Sequence, residues 1–300
     1  MNKSCLIGFL MCSAFSLVVQ AATDGAHITK TISQIERKKG IKRTIQYRPD
    51  GNDFVCVNGK NRYTRALYGG ITDFRIETSD RPVFATYKPK DSKHICFRLQ
   101  CGNQSIALDS LKFCEARYRA GRRTYRLTDP LLGKGELNIS VLAFPDAEGG
   151  IWRFTMKDMP EGALLHCYIS EIRAKNLSRN GDMGADRADS FDAPQLPKEQ
   201  KHYKLSLDGT TAYIVVEDQE LRLPALVEGT SLYDKSEKWR SEIESSLQIS
   251  TPDPYFNPLG GALAAAADGI WDGKIWLHGA IGWGSQLNGW RAAYIGDFIG

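Results

Sequence analysis

The sequence predicts a mainly β protein: a large antiparallel β-sandwich over residues 22–230, followed by helices. Three observations carry this. From Thr44 to about Arg173 apolar residues recur with a period of two; turn signals interrupt them at short intervals; and at Asp234 the period lengthens to that of a helix. Leu137, Ile139, Val141 and Ala143 alternate with polar partners. Trp152, Phe154 and Met156 do the same, as do Leu165, Cys167 and Ile169. Asp50-Gly51, Asn58-Gly59, Cys101-Gly-Asn, Ala120-Gly121, Gly133-Lys-Gly135 and Glu148-Gly-Gly150 mark the turns. That spacing fits a sandwich of many strands and does not fit βαβ units.

Residues 1–21 read as a secretory signal peptide. Lys3 gives the positive start, Leu6 to Val19 the apolar stretch, and Val19-Gln-Ala21 the small-residue cleavage site. The mature chain is then expected to start near Ala22 and to be exported to the periplasm or beyond. The apolar run is too short for a comfortable membrane span and no later segment approaches one. Residues 22–43 are polar and basic, an arm or short helix around Thr31–Lys39. The net charge of +4 is mild and gives no reason to expect nucleic acid. The short basic runs, Glu36-Arg-Lys-Lys39 and Arg119 to Arg126, read as solvated strand edges or turns. Five cysteines remain after cleavage: Cys56, Cys96, Cys101, Cys114 and Cys167. An odd number in a chain this long is no disulfide scaffold, and buried free thiols are the preferred reading, with one disulfide left open.

Residues 174–202 break the strand pattern with a long polar stretch rich in Gly and Asp. Asp182, Asp186, Asp189 and Asp192 are candidate calcium ligands, because hard cations take several carboxylate oxygens. Their spacing matches no EF-hand loop and Arg187 sits among them, so a plain excursion between strands is preferred, with a loop over a substrate cleft as its functional version. Strand character returns at Tyr203, Leu205 and Leu207. Asp208-Gly209 then reads as the turn of a hairpin leading into Tyr213–Val216, and Leu221 to Val227 as one more strand.

Trp239, Ile243 and Leu247, each four residues after the last, predict an amphipathic helix from about Lys235 to Gln248, ended by Thr251-Pro-Asp-Pro254. Residues 231–256 are accordingly a linker helix. A second helix, Leu259–Ala267, is expected to start with Asn257 as its cap and Pro258 at its first position. A third is expected from near Gln286 to Gly300, with Trp290, Tyr294 and Asp297 on one face and Arg291 adjacent. These helices cannot close a core around themselves. The expected partner is a further helical domain encoded downstream, or failing that an oligomer mate.

The strongest functional signal is the last thirty residues, which hold four of the six tryptophans. Aromatic faces beside fixed donors and acceptors suit a sugar, whose C–H face stacks on indole while its hydroxyls take directional partners. Core filling is the competing reading of the same rings. No Gly-x-Ser-x-Gly elbow, phosphate loop or His-Glu-x-x-His helix occurs, which leaves esterase, kinase and zincin chemistry without support.

The order of sandwich, linker helix and Ala-rich helices with Gly- and Trp-rich junctions resembles the six-hairpin glycosidase superfamily. Trp276-Leu-His-Gly-Ala, Gly289-Trp-Arg-Ala-Ala-Tyr-Ile-Gly-Asp297, Tyr63-Thr-Arg-Ala-Leu-Tyr-Gly-Gly70 and Arg81-Pro82 look like a family of secreted bacterial glycosidase-like proteins within it. The resemblance implies that the sandwich is a β-supersandwich and that residues 257–300 open an incomplete (α/α)6 barrel. It implies a glycan substrate and cleavage by two carboxylates, one protonating the leaving oxygen and the other activating water or attacking the sugar. It makes His278, Trp283, Trp290, Arg291, Tyr294 and Asp297 the substrate-binding candidates. Asp297 is the one carboxylate of the motif considered for chemistry, since Asp272 in its Asp-Gly pair reads as a turn residue. Tyr63, Arg65, Tyr68 and Asp73, beside Gly69-Gly70, are the sandwich's own candidates for a loop that closes the site. A non-catalytic carbohydrate-binding sandwich is the alternative, and a purely structural domain is the third reading.

Overall fold

A computed structural model describes residues 47–59, 65–88, 91–171 and 202–277. The chain divides into two compact units, Met1–Lys42 and Arg43–Gly300, and every described residue belongs to the second. The arm at 22–43, the Asp-rich loop and the helix expected from Gln286 lie outside the described residues.

The described part is mainly β, as the alternation requires: two antiparallel sheets packed face to face. Sheet A has eight strands. They are β1 (Arg48–Asp50), β2 (Asp53–Val57), β8 (Phe113–Arg119), β9 (Arg122–Thr128), β10 (Glu136–Ala143), β11 (Gly149–Lys157), β14 (Thr211–Glu217) and β15 (Glu220–Arg222), in that spatial order. Sheet B runs β13 (Tyr203–Ser206), β12 (Leu164–Glu171), β6 (Asp91–Cys101), β5 (Phe84–Lys88), β4 (Arg75–Thr78), β3 (Arg65–Tyr68), with β7 (Gln104–Ala107) also on β6.

Leu137, Ile139 and Val141 of β10 and Trp152 and Phe154 of β11 point into the space between the sheets, at most 1 % exposed. Rings from both sheets interlock there. Phe84 of β5 meets Trp152 at 5.7 Å and Tyr125 at 5.6 Å, and Phe97 of β6 meets Phe154 at 5.5 Å, all edge to face. The five cysteines are free thiols, four of them buried, and burial pushes Cys96 and Cys114 up to about 12.

Four local expectations are corrected. Asp208-Gly209 does not turn a hairpin: β13 belongs to sheet B and β14 to sheet A, and between them Leu207 is fully buried with its N–H on Ala163 O at 3.0 Å. The Leu221–Val227 strand stops at Arg222, and helix α1 (Leu226–Ser246) starts well before Lys235, with Val227 82 % exposed in its first turn. Asn257 does not cap α2 (Leu259–Asp268). Its Oδ1 instead accepts from Thr251 N at 2.8 Å, which closes the loop before the helix. Lastly, the basic run of β8–β9 is only partly solvated. Arg119 and Arg122 reach Glu244 and Glu237 of α1 at 2.7 Å each, but Arg123 shares the inward parity of Tyr125 and Leu127 and is fully buried.

Helix α1 lies on the outer face of sheet A, against β10, β11 and β14. Gly229, Tyr233, Ser236 and Arg240 form its buried stripe. A Cβ at Gly229 would stand 2.4 Å from the Tyr213 ring, so glycine is what lets the helix approach the sheet this closely. Helix α2 packs against α1 and touches β3. None of the described helices is long and apolar enough to cross a membrane.

Candidate functional site

The chain leaving α2 makes a small hairpin whose geometry is local in origin. Asp272 and Gly273, the latter at φ +91°, form the turn. Asp272 Oδ1 accepts from the N–H groups of Lys274 at 2.9 Å and Ile275 at 2.8 Å. Those N–H groups hold the carboxyl below the ordinary aspartate range, and Asp272 stands in the turn that its Asp-Gly pair predicts. Trp271 and Trp276 are bridge partners across this turn, so both indoles leave the same side. Their ring centroids are 4.5 Å apart and their planes 47° to one another.

The hairpin is fixed to the sandwich at its base. Thr72 Oγ1 donates to Trp271 O at 2.6 Å, and Leu277 N donates to Ile270 O at 2.9 Å. Ile270 packs on Tyr68 and Tyr87, and a Cβ at Gly269 would stand 2.3 Å from the Tyr68 ring. Tyr68, a candidate from the sandwich, therefore sits under the hairpin as its floor. Burial pushes its phenol up, consistent with a packing role. The Arg75 guanidinium lies 4.7 Å from the centre of the Tyr87 ring and is bonded to Glu77.

Across from the hairpin, α1 contributes Trp239, Glu242, Ile243 and Ser246. With Asp268, Trp271 and Trp276 they line a cleft of about 610 Å³. Three indoles and an isoleucine give it apolar faces, and two carboxylates give it acceptors. Burial raises the Asp268 carboxyl above its ordinary range. Trp271 keeps 37 % of its surface open to solvent. A second groove of about 450 Å³, beside Arg119 and the C-terminal end of α1, has no aromatic lining, and its Arg119 and Glu244 are already paired.

The structure thus brings Trp271, Trp276 and Tyr68 together and leaves Asp73 exposed nearby. His278, Trp283, Trp290, Arg291, Tyr294 and Asp297 lie outside the described residues, as do Tyr63 and Asp182, Asp186, Asp189 and Asp192. Among the described residues no cluster of three or more His, Cys, Asp or Glu side chains could hold a metal ion. Sequence reasoning missed Glu242 and Asp268 and took Trp239 and Ile243 only as a helix stripe. The available signal was a spare aromatic stripe on α1 beside a lone acid closing an Ala-rich helix.

Residues 89–217, less than half of the chain, match the model of a family described as a domain of unknown function, DUF4450. The span runs from β6 to the end of β14 and so takes in inner strands of both sheets. No curated protein matches the chain. The similarity to that family covers β6 to β14 of the sandwich, leaving out β1–β5 and β15, and stops short of α1, α2 and the indole cleft.

Proposed function

We propose that this is an exported protein of glycoside hydrolase type that binds a saccharide in the cleft between α1 and the Trp271–Trp276 hairpin. The observation that carries the reading is the meeting of Trp239, Trp271 and Trp276 around a space that also contains Asp268 and Glu242. Indole faces take the C–H faces of a pyranose, and carboxylates take its hydroxyls. The cleft is large enough for a ligand of more than one sugar ring. Glycoside cleavage needs one carboxylic acid that keeps its proton and a second carboxylate that does not. Asp268, raised by burial, suits the first role, and Glu242 is the other carboxylate of the cleft. On this reading α1 is the linker helix, α2 opens an (α/α)6 barrel, and His278, Trp283, Trp290, Arg291, Tyr294 and Asp297 are further candidates for substrate contact.

A binding protein that cuts no bond is the second reading, favoured by the exposed Trp271 platform. Titrating the full chain with soluble polysaccharides, with product reducing ends followed in parallel, tests both. Trp271→Ala should weaken binding about 5- to 30-fold, the equivalent of about 1–2 kcal/mol for a lost stacking face. Unchanged affinity in that variant would reduce the hairpin to packing. Binding without new reducing ends would select the second reading.

A further inference from the structure

We infer that the outer face of sheet A carries a separate site for a carboxylate-bearing sugar, a uronate, built around Arg153. Cross-strand register sets up the site. Thr124 of β9 stands opposite Ser140 of β10, and Ser140 opposite Arg153 of β11. One row along, Asn138 stands opposite Thr155. These outward side chains line a pocket of about 290 Å³, distinct in lining from the indole cleft. Tyr233 of α1 packs against two of these side chains. The Arg153 guanidinium lies 3.9 Å from the centre of that ring, and the Tyr233 hydroxyl is 2.7 Å from Ser140 Oγ.

Arg153 differs from its neighbours in having no counterion. Arg117 holds Glu115 and Asp50 at 2.8 Å and Asp53 at 3.3 Å, and Arg126 holds Glu115 and Glu136 at 3.4 Å. Among the described residues no carboxylate pairs with Arg153, and its Nε is buried without any hydrogen-bond partner. A buried donor left open is costly, which sets Arg153 apart from the paired arginines around it. Arg117 and Arg126 are already matched by carboxylates of their own, so among the described residues Arg153 is the cation of this lining left to meet an anion. The planar fork of Arg matches a carboxylate with two parallel bonds. The hydroxyls of Thr124, Ser140 and Thr155 and the open carbonyl oxygen of Asn138, whose amide nitrogen donates to Glu136 at 2.9 Å, are partners for sugar hydroxyls rather than for a bare anion. The volume admits one ring and no more. That the ligand is a sugar rests on the function proposed above; that it carries a carboxylate does not.

The test uses the full chain carrying Trp271→Ala, which weakens the indole cleft, titrated with sodium galacturonate, galactose and acetate. Galacturonate should bind, with galactose and acetate each weaker by about tenfold or more. Adding Arg153→Met should cost galacturonate about tenfold or more, and Arg153→Lys, which keeps the charge but loses the fork, should fall between. Galactose binding as tightly as galacturonate overturns the site, and so does acetate binding as tightly. Galacturonate affinity unmoved by Arg153→Lys overturns it as well, and that variant decides alone if Arg153→Met fails to fold. Because Arg153 lies outside the indole cleft, its variants report on this site alone: failure here leaves the cleft reading intact, and failure of the cleft leaves this titration valid.

Discussion

Arg123→Met should remove a large share of the protein's stability. The Arg123 side chain is fully buried in the sandwich. Its Nε and Nη2 donate to Ser79 O at 3.1 and 2.6 Å, Nη2 also contacts the Tyr47 hydroxyl at 2.8 Å, and Asp80 Oδ1 stands 3.7 Å away. Tyr47 in turn donates to Asp80, and Tyr125 donates to Ser79 O at 2.8 Å. The arginine sits on β9 of sheet A, whereas Ser79 and Asp80 follow β4 of sheet B, so this network ties one sheet to the other. Methionine keeps the apolar stem and deletes the cation. What is lost is the charge beside a fully buried carboxylate, together with the donors to a buried carbonyl. Removing one partner of a buried pair costs about 3–5 kcal/mol. At about 2–4 °C per kcal/mol for a unit of this size, the melting temperature should fall by about 6–20 °C. Chemical unfolding followed by tryptophan fluorescence, checked by calorimetry, measures it. Arg123→Met combined with Asp80→Asn should be less damaging than the two changes summed, by about 1 kcal/mol or more, because the asparagine no longer needs a cation. A single variant within about 1 kcal/mol of wild type, or strict additivity in the pair, would refute the account.

Gly229→Ala gains helix propensity, about 1 kcal/mol, yet it should destabilise by about 1–3 kcal/mol because the new methyl stands 2.4 Å from the Tyr213 ring; a stabilised variant in urea would show that α1 is free to shift. Asp268→Asn should change how stability depends on pH. Burial raises the folded-state pKa of Asp268, so its contribution is present below the unfolded value, about 3.9, and is lost as pH rises through the raised one. The asparagine variant should therefore be the more stable one at neutral pH, with the gap closing in acid. Parallel stability curves across the range would mean that this carboxyl is solvated.

The alternation that revealed β10, β11 and β12 is a core signal, and it succeeds where a strand has one face inward and one outward. It stops short where side-chain type and parity disagree. Arg123 has the parity of Tyr125 and Leu127, but a run of arginines reads as surface, and nothing in it shows that Ser79 and Asp80 will be waiting across the interface. Turn chemistry has a similar blind spot. Asp208-Gly209 does bend the chain, but a turn does not specify which sheet the next strand joins; the inward Leu207 does. The start of α1 was hidden because Val227 is β-branched and favours strand, no side chain caps the helix, and Gly229 is a poor helix former. Each choice there is explained by the sheet beneath, which is distant in sequence. The tryptophan concentration was legible and located the hairpin. Its partner Trp239 was not, because only the packing of α1 turns it toward the hairpin.

That packing gives α1 two faces with separate work. Gly229, Tyr233, Ser236 and Arg240 recur at i, i+4, i+7 and i+11 and form one stripe, set into sheet A. Arg240 bonds Glu237 at 2.7 Å and Glu244 at 2.8 Å, the same carboxylates that receive Arg122 and Arg119, so an ion-pair lattice crosses the whole contact. Trp239, Glu242, Ile243 and Ser246 lie about a quarter turn away at 3.6 residues per turn, and they face the hairpin. The first two members of the i, i+4, i+8 pattern, Trp239 and Ile243, therefore line a cleft instead of a core, while Leu247 follows the end of α1 and lines the second groove. A binding wall mounted on a helix whose adjacent face is locked to a sheet keeps its rings in place without a ligand, which is the condition for affinity that is not consumed in ordering the site. Tyr233 serves the outer pocket of sheet A in the same way: the stripe that anchors the helix also supplies the aromatic face beneath Arg153. The rigidity of α1 is thus the common requirement of both proposed sites, and the close approach at Gly229 is where the sequence secures it.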